Sequence, residues 1–576
     1  MVERAGERER ACDAAGVRRF GPASVRALPG WAVWVAPGLL TLVVTLVGIG
    51  HAQPWRDELA TWSAATRPLS DLARMTRTID AATGPYYLLM HGWTAIAGAS
   101  PTALRLPSAL AMAVAAALAA RLGARLAGDR AGLLAGLLFA VLPVTSRYGQ
   151  EARPYALATL LAVLATLLLV EALRRPGRWR WAGYAAAVAA LGLLHLLALT
   201  LLAAHALVVL LVAVRGPTAA GLAPPRLDGI RKGSADTKRN PAAFAWWLVA
   251  LLPAVLLVTP LALVARGQRG RQLDWVDPAR LPDLAALPGA LAQSGVVGGF
   301  VLALAALGAA RLGRRALLPA AAVLLPVLLV FAAGTMVPLW VTRYLVFTVP
   351  FACLLAGAAL AAARVIPVPT ETPGTAAQRT ATPAGAGHAT APAEAEAAPA
   401  EAEQEAQAEA EQEQAPPPGG RIAAGLAVVV LAGLLGLPDQ AALRRTHEWP
   451  RSAPVDYAGA AGIIRAEQRP GDAIVYSPRD GWLFPDLGMA YHLGPRLPRD
   501  VLVVRDQRQD ASLWAVECDD PARCLAGVER VWLVVTGRRA DPLAAVPGAK
   551  GDALRAGYTV RQVWPRPGIT VALLVR

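Results

Sequence analysis

The sequence predicts a polytopic α-helical membrane protein of about 11 transmembrane helices, with interfacial helices in the first outer loop, plus a small C-terminal extracytoplasmic α/β domain. Three features predict it. Apolar runs of bilayer-spanning length recur from Trp31 to Pro438. Arginines gather in the short segments between those runs, as a positive-inside topology requires. From about Trp449 the chain changes to short strand-like runs separated by helix-like pieces.

Composition narrows the function classes. At 576 residues, with 55% hydrophobic side chains and a mean hydropathy of +0.42, the chain is too long for one soluble domain and too apolar for several. The formal charge of +15 would point to nucleic acid in a soluble protein. Here the arginines read as topology signals and lipid-headgroup contacts, and nucleic acid drops out as a partner. The four cysteines exclude a disulfide framework and a Cys-rich metal site.

Residues 1–30 carry Arg4, Arg8, Arg10, Arg18, Arg19 and Arg26 without a sustained apolar run and read as a cytoplasmic basic tail. The first span, Trp31 to Gly50, ends without an Ala-x-Ala cleavage motif and reads as uncleaved. It delivers Trp55-Arg56-Asp57-Glu58 to the outer face, in a loop. Leu69, Leu72, Met75 and Ile79 then recur at helical spacing and make one apolar stripe, with Ser70 as a cap. The next apolar piece, Tyr86 to Gly98, is too short to cross, and crossing would put Arg121, Arg125, Arg130 and the Arg174 to Arg180 cluster outside. It reads as a second interfacial helix with Tyr86, Tyr87 and Trp93 as headgroup anchors.

Spans follow at Ala103 to Leu122, Ala131 to Ser146 and Tyr155 to Leu173, so the loop Tyr148-Gly149-Gln150-Glu151-Ala152-Arg153 returns to the outer face. The run Trp181 to Val214 lies between basic segments, the second holding Arg226, Arg231, Lys232, Lys238 and Arg239. It crosses twice, turning near His195. A span at Phe244 to Val264 opens an outer loop, Arg266 to Pro288, whose Arg266, Arg269 and Arg271 break the charge rule and point to an anionic ligand. Spans at Leu291 to Leu312 and Leu317 to Met336 flank Arg311, Arg314 and Arg315. The tenth starts at Trp340-Val341-Thr342-Arg343-Tyr344 and ends at Arg364, closing a transmembrane domain over residues 31–365.

Residues 366–420 are mostly Ala, Glu, Gln, Pro and Thr, a composition that cannot bury enough surface to fold, and read as a disordered cytoplasmic linker. The last span, within residues 421–438, returns the chain to the outer face. Residues 439–576 form the α/β domain. Its strands are expected at Ala473 to Tyr476, Val501 to Val504, Val531 to Val535, Thr559 to Val563 and Thr570 to Val575, and its helices at Asp456 to Gln468 and Asp541 to Leu554. Cys518 and Cys524 either pair there or stay as buried thiols.

Charged groups thus collect on one face. Asp57 and Glu58 suit a general base toward a hydroxyl, and suit a helix cap or a solvated loop as well. Glu151 and Arg153 sit on the same face, flanked by Tyr148, Gln150 and Tyr155. So does Arg343 with Tyr344. An arginine fork fits phosphate, although interfacial snorkelling would also place it there. His91 and His195 fit either a backbone hydrogen bond or a ligand contact. No His or Cys spacing fits zinc, and no Gly-rich loop fits a nucleotide's phosphates. The acid pair leaves room for a divalent cation without defining a third ligand.

The order of parts resembles a known group. An outer-loop Asp57-Glu58 is followed by Gly84-Pro85-Tyr86-Tyr87-Leu88-Leu89-Met90-His91-Gly92-Trp93, by Leu104-Arg105-Leu106-Pro107-Ser108-Ala109-Leu110 and by Tyr148 to Tyr155. This resembles the GT-C superfamily of membrane glycosyltransferases, in particular family 39 or the protein-mannosyltransferase type, as found in actinobacterial mannosyltransferases. The likeness is dense over Trp55 to Leu173 and thinner at Arg343-Tyr344-Leu345. Relatives often carry Pro-Pro-Leu-Tyr-Tyr where this chain has Gly84-Pro85-Tyr86-Tyr87.

The resemblance implies Asp57 as catalytic base, Glu58 beside it and Glu151 as a second acidic site residue. It implies Arg153 and Arg343 on the donor phosphate, and the residues themselves offer Tyr344, Gln150, Tyr148, His91 and His195 as further candidate substrate contacts. The donor would be a polyprenyl-phosphate sugar, the sugar mannose or arabinose, the acceptor an extracytoplasmic protein, lipid or glycan, and the location the cell membrane. Two other classes fit a polytopic chain: a transporter or flippase of isoprenoid-linked glycans, and a non-catalytic envelope-assembly protein. A transporter is expected to hold ionisable groups in mid-span and to show inverted repeats, whereas here acid collects at the outer face.

Overall fold

The computed structural model describes residues 29–222, 239–362, 418–446 and 455–576. The basic tail, Arg226 to Lys238, nearly all of the 366–420 linker and Trp449 lie outside the described residues.

The chain begins with α1 (Ala32–Leu46) and three helices of the segment expected at the outer face, α2 (Arg56–Ala65), α3 (Leu69–Thr78) and α4 (Gly84–Ala97). The helices α5 (Pro101–Ala127), α6 (Asp129–Val141), α7 (Pro143–Gly149), α8 (Tyr155–Arg174), α9 (Arg178–Leu194), α10 (Leu201–Arg215) and α11 (Pro241–Gln272) follow. Next come α12 (Leu281–Ala292), α13 (Gly295–Leu312), α14 (Leu317–Met336), α15 (Val349–Ala361) and α16 (Pro418–Thr446).

Among the described residues, seven helical runs are long and apolar enough to cross a membrane, and the bent pair α6–α7 makes an eighth. One of the seven, Gly295–Met336, holds both α13 and α14 in 42 residues. A straight helix of that length would part its ends by roughly 60 Å. Instead a Cβ on Gly298 would lie 2.3 Å from the Pro288 carbonyl, and Gly334 accepts from Ala279 N–H at 2.9 Å. Both ends meet one short stretch, so the run is a hairpin of two crossings. Helix occupies every segment expected to span.

Two of those segments differ in shape from the expectation. Pro143 excludes the helical conformation at Leu142 (φ −69°, ψ 140°), and the axis turns by 64° between α6 and α7. The broken span turns Tyr148 to Ala152 into the protein interior, where all are buried, rather than leaving them in an open outer loop. Helix α11 runs to Gln272, so Arg266, Arg269 and Arg271 ride on its last turns and not in a loop. Close packing fixes the bundle: a Cβ on Gly132 of α6 would lie 2.3 Å from the Ala120 carbonyl of α5.

The segment of α2, α3 and α4 also departs from the expectation. Asp57 and Glu58 start a third helix, α2, where acidic side chains complement the helix dipole. Pro68 rather than Ser70 caps α3, whose Leu72 and Met75 are buried while Leu69 is 54% exposed. Tyr86 and Tyr87 are fully buried and cannot anchor headgroups. They pack in one apolar core with Leu59 of α2 and with Phe484 and Trp514 of the C-terminal region.

That region holds α17 (Tyr457–Glu467), α18 (Pro485–Leu493), α19 (Pro521–Cys524) and α20 (Gly548–Gly557). Its strands are β1 (Ala473–Ser477), β2 (Arg499–Asp500), β3 (Val503–Arg505), β4 (Val516–Glu517), β5 (Arg530–Thr536), β6 (Thr559–Arg566) and β7 (Ile569–Val575). The sheet runs β2-β1-β5-β7-β6, parallel across β2, β1 and β5 and antiparallel beyond, and β3 pairs with β4 alone. The last helix starts at Gly548 rather than Asp541, the expected strand Val501 to Val504 is split by a turn at Val501 and Leu502 into β2 and β3, and Cys518 and Cys524 form a disulfide. Polar contacts tie the region to the segment of α2, α3 and α4: Arg67 donates to Ser512 O (2.8 Å) and Gln507 O (3.2 Å), and Tyr491 donates to Ala99 O (3.1 Å).

Candidate active site

Asp57 owes its position to Glu58. The Glu58 carboxylate accepts from Trp55 N–H at 3.3 Å, which closes the first turn of α2, and from Ala152 N–H at 2.9 Å. Arg105 of α5 donates to it twice, from Nε at 2.8 Å and Nη2 at 2.7 Å. The remaining Arg105 donors go to the carbonyls of Ile49 and Ala52, both at 2.8 Å, and Gln53 at 3.2 Å. Both side chains are 1% exposed. This ion pair pins the end of α1, the start of α2 and the 151–153 turn to one point.

Asp57, the residue before it in the first turn of α2, points away from that pair toward a cavity. It lies 3.5 Å from Arg56 Nε and 3.8 Å from Arg343 Nη2, and its Oδ2 accepts no hydrogen bond among the described residues. Burial pushes its carboxyl up, but the guanidiniums of Arg343, Arg153, Arg56 and Arg147 outweigh that and hold it below its ordinary value. The result is a charged carboxylate with an open lone pair.

A small cavity of about 60 Å³ opens in front of it, walled by Arg153, Arg343, Asp80, Trp275 and, from the C-terminal region, Trp482. Arg343 lies between two rings, 5.1 Å from Trp275 and 5.8 Å from Tyr344. A larger cavity of about 300 Å³ adjoins, sharing Arg153, Gln272 and Tyr344 with the first. Tyr155, His195, Arg266 and Arg269 line it together with several leucines and alanines. The rings of Tyr155, His195 and Tyr344 contact one another at 5.5–6.3 Å between centroids, and Tyr148 stacks on Tyr155 at 5.4 Å.

Glu151 stands behind this wall, 1% exposed, 3.2 Å from Arg147 Nε. Burial outweighs the Arg147 charge, with Glu58 and Asp57 adding to it, and its carboxyl is pushed up to about 7. Five expected site residues line neither cavity: Glu151, Tyr148 behind Tyr155, and Glu58, Gln150 and His91, which are engaged elsewhere. Glu58 is taken up by Arg105. Gln150 donates Nε2 to Thr45 O (2.8 Å) and Val47 O (2.7 Å), capping the end of α1. His91 Nδ1 bonds the Ala65 carbonyl at 2.9 Å, the backbone alternative of its two readings.

Sequence reasoning missed Asp80. It sits in the left-handed conformation (φ 59°) after α3 and accepts from Tyr87, from Thr83 at 2.7 Å and from Gln272 at 2.5 Å. Burial raises its carboxyl, against Arg153 and these hydrogen bonds, so the two aspartates of one cavity are pushed apart. Its signal was an isolated acid directly before the Gly84-Pro85-Tyr86-Tyr87 run. Gln268 was missed too: it donates to Thr76 O (3.0 Å) and accepts from Ala81 N–H (2.7 Å), locking α11 to this turn. Among the described residues no group of three or more His, Cys, Asp or Glu converges as a metal site.

The profile of the family described as dolichyl-phosphate-mannose-protein mannosyltransferase matches residues 84–220. No curated protein matches the chain as a sequence. Among solved structures, apo ArnT from Cupriavidus metallidurans superposes with a TM-score of 0.52 at 13% identity, covering 94% of this chain and 98% of that one. ArnT of the same organism bound to undecaprenyl phosphate gives 0.54 at 12% identity, covering 95% and 98%. At these identities the likeness speaks for the fold, and this chain has the GT-C fold of the membrane glycosyltransferases that its motifs resemble.

Proposed function

We propose that this chain is a membrane glycosyltransferase that moves a sugar, mannose in the first place, from a polyprenyl-phosphate donor to an extracytoplasmic acceptor. Asp57 is the general base. One observation carries the reading: a charged carboxylate with an open lone pair faces a cavity walled by Arg153 and Arg343. Next to that cavity lies a wider recess with aliphatic and aromatic walls and two more arginines. The reacting centre would lie at the mouth of the first space, beside Asp57, and the phosphate with its first prenyl carbons along the second. The match to a dolichyl-phosphate-mannose family over residues 84–220 and the shared fold of ArnT, solved with undecaprenyl phosphate, support the donor class.

The chemistry is a single displacement. Asp57 Oδ2 takes the proton of the acceptor hydroxyl while that oxygen bonds to the anomeric carbon. The bond from that carbon to the phosphate oxygen breaks on the opposite face, so the centre inverts. A phosphate leaving group is already a weak base, and it needs cations more than an acid. Arg153, Arg343, Arg266 and Arg269 supply them. Glu58 is a positioning residue, Glu151 a second acid behind the base, and Tyr148, Tyr344 and His195 belong to the aromatic wall. Asp57 and Asp80 are too few ligands for a defined cation site among the described residues.

The test uses the full chain in vesicles with radiolabelled polyprenyl-phosphate mannose, nucleotide-linked mannose and cell-envelope acceptors. Label should pass from the lipid donor and not from the nucleotide. Movement of the lipid donor across the bilayer without transfer would overturn the reading in favour of a flippase.

A further inference from the structure

A second recess lies at the other end of the bundle. It has a volume of about 440 Å³ and is walled by Trp34 at the start of α1, Arg121 and Arg125 at the end of α5, Asp129 of α6 and Arg174 at the end of α8. Helix α5 fixes how far it is from the candidate site. Arg105, bonded to Glu58, and Arg125 are on that one helix, and twenty residues at 1.5 Å each give about 30 Å, the thickness of the hydrocarbon core. The recess therefore sits level with the interface of the opposite leaflet.

Its walls are built, and they are cationic. Arg125 Nε pairs with Glu171 at 3.2 Å. Arg174 donates Nε to Leu222 O and Nη2 to Arg125 O, both at 2.9 Å, which ties the ends of α5 and α8 together. Arg121 is exposed, and no hydrogen bond or ion pair engages it among the described residues. Three guanidiniums face the single carboxylate of Asp129, while Glu171, outside the lining, pairs with Arg125. Trp34, 37% exposed, is the amphipathic ring expected at headgroup depth.

We propose that this recess binds the phosphate headgroup of an anionic glycerophospholipid in the leaflet facing away from Asp57. Guanidinium forks recognise phosphate oxygens, and basic pockets between span ends at the interface are where such headgroups lodge. Arg121, unpaired among the described residues, meets the phosphate, with Arg174 held beside it. The inference is independent of the glycosyl-transfer reading, because none of these residues lines either cavity near Asp57.

The test measures lipid retained by the full chain in native mass spectrometry, after purification from nanodiscs of phosphatidylcholine mixed equally with phosphatidylglycerol. Wild type should keep phosphatidylglycerol over phosphatidylcholine and should unfold at a higher temperature with it. Arg121→Gln should lose most of that preference and keep its fold, since no bond within the described residues depends on Arg121. Arg178→Gln, outside the lining, should behave as wild type. Equal retention by wild type and Arg121→Gln, or no preference in wild type, overturns the proposal. Inorganic phosphate that stabilises the chain where the lipid does not would also overturn it, by showing a free-anion site.

Discussion

Glu58→Gln separates positioning from chemistry at the candidate site. Each Glu58 oxygen accepts two N–H groups, Oε1 from Arg105 and Ala152 and Oε2 from Arg105 and Trp55. An amide keeps the shape, but whichever way it turns its NH₂ meets two donors. The Arg105 charge, 1% exposed, is then left without its partner. Removing one member of a buried pair costs about 3–5 kcal/mol, a large share of the roughly 5–15 kcal/mol that holds a protein folded. Thermal unfolding of the full chain in detergent, followed by tryptophan fluorescence, should show a marked drop in the midpoint. Arg105→Gln should cost a similar amount, and the double variant less than the sum, because each single change leaves the other group unpaired. Transfer should fall in step as α2 and Asp57 shift. An unchanged midpoint with kcat abolished and KM intact would refute the reasoning and put Glu58 in the chemistry.

Other predictions follow from the same contacts. Arg343→Lys keeps the charge but loses the planar fork held between Trp275 and Tyr344, and the donor KM should rise about 10–100-fold, the worth of a charge-assisted bond; an unchanged KM removes Arg343 from the donor. Glu151 has a folded pKa of about 7 against an ordinary 4.5, so its proton is held more tightly in the folded chain. Its stabilising contribution is complete below pH 4.5 and is lost as pH rises through about 7, so wild type should lose stability relative to Glu151→Gln across that window. A flat difference in midpoint would contradict it. Within the bundle, Trp247 Nε1–H donates to Tyr184 (2.9 Å), whose hydroxyl meets His205 Nδ1 (3.0 Å), while His205 Nε2 meets Thr166 (3.0 Å). Thr166 spends its own proton on Ala162 O (2.8 Å), so the chain of donors runs one way from α11 to α8. Trp247→Phe should cost about 1–3 kcal/mol in unfolding measurements by leaving Tyr184 short of a donor.

What the sequence made legible is what one-dimensional patterns carry. Spans and four of the five strands of the C-terminal sheet show as runs of fixed length and period, and the charge at run ends ordered the spans. Arg153, Arg343, Tyr344 and His195 could be gathered with Asp57 because topology puts their segments at one end of the bundle. Partner choice was out of reach. Nothing local distinguishes Asp57 from Glu58, and only the position of Arg105, 47 residues on, turns one into a clamp and frees the other. Gln150 is polar in a charged stretch, yet the break at Pro143 aims it at the α1 carbonyls. Tyr86 and Tyr87 read as headgroup anchors because the cover over them comes from residues almost 400 positions away. Asp80 has no periodic context at all, and its place follows from a single left-handed residue and from Gln272 on an over-long α11.

The central claim is that Asp57 takes the acceptor proton. Its most direct test compares wild type, Asp57→Asn and Asp57→Glu in vesicles with labelled polyprenyl-phosphate mannose, with unfolding midpoints recorded on the same samples. Asp57→Asn is expected to lose about 10²–10⁴-fold in kcat, more than the modest fall in midpoint from the lost attraction to Arg343 explains, and Asp57→Glu to recover part of the rate. Transfer by Asp57→Asn at the wild-type rate would contradict it.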